Sequence, residues 1–487
     1  MTYAANELLS LDAIALSACY DRQEVSPIEV MRACLARIER SHATLNALVT
    51  IDADGAMQSA RSSEKRMMSR ARFGPLDGVP LTVKDNLFVR GMPATWGSRL
   101  YENFVPDHDD IAVERLRSAG ACIVGKTNTP ELALSGRTDN FLFGATRNPV
   151  DISLTPGGSS GGAVAATAAG LAPLALATDA GGSTRLPASY TGLFGLRPTS
   201  GRIPRRHGFP ALAHDFQVVG LVTRTARDLA ALFRCVSGPD PRDRLSWGLD
   251  HHDTMPLRSP ARICLVTGVA GEPVDPQVRS AVTEAVSRLD VASFHVEEGT
   301  APFDIDEVRL IWSTLSAVGA ARAVSGHSNW RNRVTPDIAK LVEAGLATPA
   351  TDYLRALDRL AEFRAVVRQR WGEADFIVTP TAAVLPWPVG EPHARSVDGH
   401  PGTPRSASIF STWVNAADLP AISMPLARTS SGLPVGVQWV ARAGRDLTLL
   451  QAALAACPDG GSQTVAATAL VEEKLSPPKD PAPPADP

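Results

Sequence analysis

Two serine-bearing turns carry the residues best suited to chemistry in this 487-residue chain. Leu154-Thr-Pro-Gly-Gly-Ser-Ser-Gly-Gly162 and Thr178-Asp-Ala-Gly-Gly-Ser-Thr-Arg185 each set hydroxyls among glycines. Glycine lets the backbone approach a substrate closely, and a turn that opens a helix leaves N–H groups unpaired and pointing outward. A hydroxyl beside such donors is how a protein places a nucleophile next to an oxyanion hole. Ser183 stands where an attacking oxygen is wanted.

Three other motifs compete for attention. Gly120-Ala-Cys-Ile-Val-Gly-Lys-Thr127 matches the phosphate-loop pattern, but its middle is apolar and β-prone where the phosphate-cradling loop belongs, so it reads as a strand ending in a turn. Gly157-Gly-Ser159-Ser-Gly161 fits the α/β-hydrolase elbow. That elbow follows a buried strand, whereas Pro149 and Pro156 precede this one, and proline does not belong in a central strand. Ser62-Ser-Glu-Lys65 fits a Ser-x-x-Lys pattern in a polar run with no Lys-Thr-Gly partner, and reads as an exposed helix face.

The elements that must position the two turns alternate. Ser26-Pro27 caps a helix continued by Ile28, Met31, Leu35 and Ile38. Short apolar runs at 78–84, 121–125 and 174–178 read as strands, with helix-like segments such as 111–118 between them. This predicts an α/β fold: one large domain with a central mixed, mostly parallel twisted sheet flanked by helices. Residues 303–371 read as a helical insertion, 375–379 as a strand, and 419–425 with 435–440 as a late strand pair. The catalytic domain is expected over 1–475, with N-terminal helices and a disordered Pro-rich tail over 476–487.

With 44% hydrophobic and 20% charged residues the chain can bury a large core. A net charge of −3 and the lack of a long basic run give no reason to expect nucleic acid or an anionic membrane surface, so a small-molecule partner is expected. Met1–Glu7 is not a basic region followed by an apolar run, and no stretch has membrane-spanning length, so a cytoplasmic location is the expectation. Six scattered cysteines, without Cys-x-x-Cys, read as buried thiols. The ten histidines, His207 and His214 among them, show no metal-like or triad-like spacing.

Read together, Gly78–Asn86, Val124–Asn128, Gly157–Gly162, Asp179–Arg185 and Gly195–Thr199 resemble the amidase signature family of serine hydrolases, which cleave amide and related C–N bonds. Asn415–Pro425 and Gly432–Gly436 resemble the end of such enzymes. The resemblance implies Ser183 as nucleophile, Ser159 as a bridging serine beside a cis peptide, and Lys84 as general base, with no metal or cofactor. A serine hydroxyl needs such a base, and lysine can serve only when neutral, a form that burial favours. Backbone N–H groups of Ala180, Gly181, Gly182 and Ser183 would then hold the oxyanion. Asp179 and Arg185 are expected to scaffold the turn, and Ser160 to support it through local backbone bonds.

Substrate choice is less legible. Arg137, Phe141, Phe143, Trp312 and Trp330 are candidates for the substrate pocket, the aromatics as an apolar wall or as core, Arg137 as a carboxylate grip or a surface residue. The leading expectation is a free amidase acting on a small aryl or apolar acyl amide, or a related anilide, hydrazide or carbamate. Similar enzymes are often homodimers. The second reading is the amidase subunit of a glutamine-dependent tRNA amidotransferase.

Overall fold

Short apolar runs of this chain become strands buried on both faces, and they gather into one sheet. The computed structural model describes residues 3–206, 208–249 and 256–458. The strands are β1 (Leu48–Ile51), β2 (Pro80–Lys84), β3 (Cys122–Thr127), β4 (Leu174–Asp179), β5 (Phe194–Arg197), β6 (Val218–Thr223), β7 (Ala261–Leu265), β8 (Phe294–Glu298), β9 (Phe376–Pro380), the short pair β10 (Ser396–Val397) and β11 (His400–Pro401), and β12 (Ala421–Arg428) and β13 (Pro434–Ala441). Eleven of them form a mixed sheet ordered β1-β3-β2-β4-β6-β5-β12-β13-β9-β7-β8. Parallel pairing joins β3-β2-β4 and β9-β7-β8. Antiparallel pairing joins the strands between these two runs and adds β1 at one edge. The chain is thus a single α/β domain around a central sheet flanked by helices, as its alternating pattern predicts.

Several predicted elements occur within a residue or two. Ser26 caps the helix Pro27–Leu45, its hydroxyl accepting from the Glu29 amide while the Glu29 carboxylate accepts from the Ser26 amide. Ile111–Ser118 is a helix, and the 303–371 region holds the helices Ile305–Val324, Pro336–Ala347 and Ala350–Arg370. The late strand pair is β12 with β13. Strands β1, β5, β6, β7 and β8 have no counterpart in the sequence reading. The Pro-rich tail and His207 lie outside the described residues. Of the six cysteines, expected to be buried, Cys235, Cys264 and Cys457 are half-buried. Among the described residues no helix is long and apolar enough to cross a membrane.

What positions the chemistry is the pair β2 and β4. They run parallel in register, Val83 opposite Leu176, so Lys84 and Asp179 leave the sheet at the same edge. The helices Gly161–Ala168 and Arg185–Thr191 pack there through small residues, with Ala163, Val164 and Ala168 meeting Ala175, Ala177 and Ala188. Small side chains bring helix and sheet close, so the turns that start these helices converge on the end of β2.

The phosphate-loop lookalike is strand β3, buried throughout. Lys126 is an interior residue 3.5 Å from Asp85 and donates to the Pro93 carbonyl, so it has no phosphate to meet. Gly125 is where the edge strand presses closest: a Cβ there would lie 2.1 Å from the Thr50 carbonyl oxygen. Because that neighbour is backbone, Gly125→Val is expected to destabilise the protein by about 1–3 kcal/mol or more, read as a lower urea midpoint. An unchanged midpoint would show that β1 can be displaced freely.

Candidate active site

Lys84 ends β2 with no exposed surface, in a chamber whose walls are hydroxyl groups. Its Nζ donates to Ser159 Oγ at 2.7 Å, Ser160 Oγ at 2.9 Å and Thr178 Oγ1 at 3.0 Å. No carboxylate lies within ion-pair distance of it among the described residues. Burial therefore dominates and lowers its pKa to about 7, with the more distant Asp179 opposing the shift. Asn86 donates to Thr178 Oγ1 at 3.0 Å and fixes the rim of the chamber.

The first serine turn reaches Lys84 through a cis peptide bond between Gly158 and Ser159. It continues into the helix Gly161–Ala168, and neither a strand nor a strained elbow precedes it. Thr138 Oγ1 ties the turn down, donating to the Gly157 carbonyl at 2.9 Å and accepting from the Gly161 amide at 3.0 Å. The Ser160 amide donates to the Ser183 carbonyl at 3.1 Å, which links the two serine turns directly. Ser160 thus does more than bond local backbone: it touches Lys84 and holds Ser183.

The second turn is shaped by a buried ion pair. Asp179 and Arg185 have no exposed surface and meet at 2.9 Å and 3.0 Å. Asp179 also accepts from the amides of Gly182 (2.8 Å) and Thr184 (3.1 Å) and from Asn415 Nδ2 (3.0 Å). Burial alone would raise the Asp179 pKa, but the Arg185 guanidinium and these donors hold it well below the usual carboxylate range. Arg185 donates further to Gln438 and Asn415. The turn leaves Ser183 half-buried.

This geometry trims the expected set of oxyanion donors. The Gly182 amide points at Asp179, so it is committed to the scaffold. The amides of Ala180, Gly181 and Ser183 donate to no acceptor among the described residues. Gly182 has φ +111°, and a Cβ there would lie 2.2 Å from Ser411 Oγ, so only glycine fits. Ser411 and Thr412 donate to the Gly181 carbonyl at 2.9 and 3.2 Å and clamp the turn from the far end of the chain.

The expected pocket residues separate. Trp312 comes to the site: its ring atoms would lie 3.4 and 3.5 Å from a Cβ on Gly181. Trp330 does not; it is a core residue packed with Trp96, Phe209 and Val342. Phe141 is 64% exposed on the surface beneath Arg99, so it walls no pocket. Phe143 is half-buried, and its carbonyl accepts from Asn46. Arg137 is half-buried, and its side chain donates to the Gly390 carbonyl at 3.0 Å and lies 3.7 Å from Asp139. Thr178, Ser411, Thr412, Asn415 and Gln438 have no assigned role in the sequence reading. Thr178 opens the second serine turn, Gln438 falls in the late strand 435–440 and Asn415 lies within a block that carried the family resemblance, which are the signals that pointed near them.

A family model for amidases matches residues 29–450. A glutamyl-tRNA(Gln) amidotransferase subunit of Symbiobacterium thermophilum is 34% identical, covering 91% of this chain and 96% of that relative. The protein of the same name from Acidothermus cellulolyticus is 35% identical, covering 90% and 92%. Among solved structures, a bacterial aryl acylamidase of the amidase signature family matches with a TM-score of 0.86 at 25% identity, covering 94% of this chain and 98% of that one. The sequence relatives overturn the expectation of a free amidase for aryl or apolar acyl amides, because they are named as one subunit of a tRNA amidotransferase. The expectation of a small molecule as the only partner, with no nucleic acid, falls with it.

The buried charges make two predictions. Asp179→Ala strands the Arg185 guanidinium without its carboxylate and is expected to cost about 3–5 kcal/mol in denaturant unfolding. Lys84 has a folded pKa of about 7, below that of an unfolded lysine near 10.4, so the unfolded chain binds more protons between those values. Its contribution to stability is therefore least favourable below pH 7 and improves as pH rises toward about 10.4. Lys84→Met is expected to remove that slope; a stability–pH curve parallel to wild type would contradict the depressed pKa.

Proposed function

This chain belongs to the amidase family and is an amidase-type enzyme acting on C–N bonds, and on that footing we propose that it is the amidase subunit of a glutamine-dependent tRNA amidotransferase. The observation that carries the proposal is the 34–35% identity to the two amidotransferase relatives over nearly the full length of both partners. In this reading the chain releases ammonia from the side-chain amide of glutamine, and partner subunits deliver it to glutamate carried on tRNA. A cytoplasmic location goes with that role. The single catalytic domain spans the amidase match and its N-terminal helices.

The chemistry proposed for the site starts from the neutral form of Lys84, which its burial favours. Lys84 takes a proton from Ser159, with which it is already hydrogen-bonded at 2.7 Å, and Ser159 takes one from Ser183 as that oxygen attacks the amide carbon. The amides of Ala180, Gly181 and Ser183 stabilise the oxyanion, each donor of this kind contributing roughly 2.7–4 kcal/mol in a serine hydrolase. Ser159 then hands its proton to the leaving nitrogen while Lys84 returns its own to Ser159, ammonia departs, and water, giving its proton through Ser159 to Lys84, cleaves the acyl-enzyme and restores Ser183 as the proton comes back. Ser160 and Thr178 hold the amine in line, and the Asp179–Arg185 pair fixes the turn.

Glutamine-dependent formation of Gln-tRNA(Gln) from Glu-tRNA(Gln), assayed with the chain and co-purified partner subunits, tests the proposal. Amidation is expected, and Ser183→Ala is expected to abolish it with glutamine while ammonia as donor still supports it. A chain that hydrolyses simple amides fast on its own and supports no amidation would overturn it. With glutamine saturating, the acylation rate is expected to rise with pH about a midpoint near 7 and then level off, since the base must be neutral. Lys84→Ala should lower the rate by about 10²–10⁴-fold and remove that midpoint.

A further inference from the structure

Lys84 touches three hydroxyls, yet a neutral amine has two N–H groups to give and only one lone pair to receive a proton. For the proton relay from Ser183 through Ser159 to Lys84, that lone pair has to face Ser159, and the protons of Ser160 and Thr178 have to point elsewhere. A hydroxyl has one proton and two lone pairs, so each of the three can be followed to its partners. Ser160 Oγ accepts from Lys84 at 2.9 Å and donates to the Thr178 carbonyl at 3.3 Å. Thr178 Oγ1 accepts from Lys84 and from Asn86 Nδ2, each at 3.0 Å, and donates to Asn86 Oδ1 at 3.4 Å. Ser159 Oγ lies 2.7 Å from Lys84 Nζ and has no other hydrogen-bond partner among the described residues. Of the three protons, only that of Ser159 is left for the amine.

Asn86 is buried in the turn that ends β2, where the Leu87 amide donates to the Lys84 carbonyl at 3.0 Å. Its neighbour Asp85 fixes that turn. The Asp85 amide donates to the Thr127 carbonyl at 3.0 Å, and its carboxylate accepts from the Thr95 amide at 3.0 Å and lies 3.5 Å from Lys126. Among the described residues the Asn86 carboxamide bonds to Thr178 and to nothing else. Being neutral, it holds the Thr178 hydroxyl without bringing a charge beside the base.

We propose that Asn86 is a positioning residue of this relay: by taking the Thr178 proton it leaves the lone pair of Lys84 to Ser159 alone. The Thr178 carbonyl does the same for the Ser160 proton. Without Asn86 the Thr178 hydroxyl turns its proton onto the Lys84 lone pair, and that bond has to break before Ser159 can give its own. The inference rests on the relay given under Proposed function and not on which amide is cleaved.

Sulfonylation of the full-length chain by phenylmethylsulfonyl fluoride, followed by intact mass as a function of pH, tests the assignment without a choice of amide. The Ser183 oxygen bonds to sulfur, fluoride leaves, and the serine proton passes through Ser159 to Lys84. The wild-type rate is expected to rise about a midpoint near 7 and level off. Asn86→Leu is expected to lower the plateau about tenfold, the effect of one hydrogen bond on a barrier. Adding Thr178→Val removes the misdirected hydroxyl, so the double variant should react as fast as Thr178→Val alone rather than at the product of the two losses. Asn86→Asp keeps the acceptor but adds a charge beside the amine, so its plateau should stay near wild type while the midpoint moves above 7. That profile decides the matter even if Asn86→Leu fails to fold. A wild-type plateau in Asn86→Leu, multiplied losses in the double variant, or a lowered plateau in Asn86→Asp would each overturn the positioning role. A wild type that is not labelled at Ser183, or Lys84→Ala labelled as fast as wild type, would instead sink the relay itself and this inference with it.

Discussion

The arrangement depends on burying one amine without giving it a carboxylate. An ammonium group removed from water is costly, and proteins usually repay that cost with an ion pair, which would also keep the amine charged. Here the partners of Lys84 are three hydroxyl oxygens and, at 3.5 Å, the Thr178 carbonyl, none of which carries the charge that would hold the amine protonated. The one acid whose field reaches Lys84 is Asp179, and its charge is spent on Arg185, on the backbone amides of the turn and on Asn415. Separating the acid from the amine lets the interior hold both a rigid anionic scaffold and a base that is half neutral near pH 7.

The sheet makes that separation possible. Parallel pairing of β2 with β4 brings Lys84 and Asp179 out at one edge, and the side chains then part. Lys84 turns to the serine loop ahead of Gly161–Ala168, while Asp179 turns into the loop ahead of Arg185–Thr191. The antiparallel strands β12 and β13 give this edge its far wall. Gln438 on β13 meets Arg185, and the segment just before β12 supplies Ser411, Thr412 and Asn415. Residues more than 220 positions apart in sequence thus close on a single turn.

Local chemistry was legible wherever it is written in contiguous residues. The glycine–serine turns, the apolar run ending in Lys84 and the Ser26 cap can each be read within a few residues, because their geometry is set by backbone freedom and side-chain patterning over that range. Strands such as β7, with alternating exposure, and β8, which is mostly open to solvent, lack the continuous apolar run that marks β2 or β4. They form because parallel neighbours complete their ladders, a long-range term that no local window contains. Trp330 and Trp312 show the same limit for the site. Both are large aromatics in the helical region, yet one faces a core built with Trp96 and Phe209 and the other faces Gly181. Only tertiary packing tells them apart.

The same limit explains why an oxyanion site cannot be read off a glycine-rich string. Four consecutive amides look equivalent in the sequence 180–183, but a turn this tight must satisfy some of its own donors. Asp179, placed just ahead of the turn, takes the amides of Gly182, Thr184 and Arg185 and leaves those of Ala180, Gly181 and Ser183 without a protein acceptor among the described residues. The donors left without protein acceptors are those the scaffold does not need. An acid that holds the turn closed also decides which amides are left for a ligand, so the buried Asp179–Arg185 pair sets the electrostatics of the turn although neither residue is exposed.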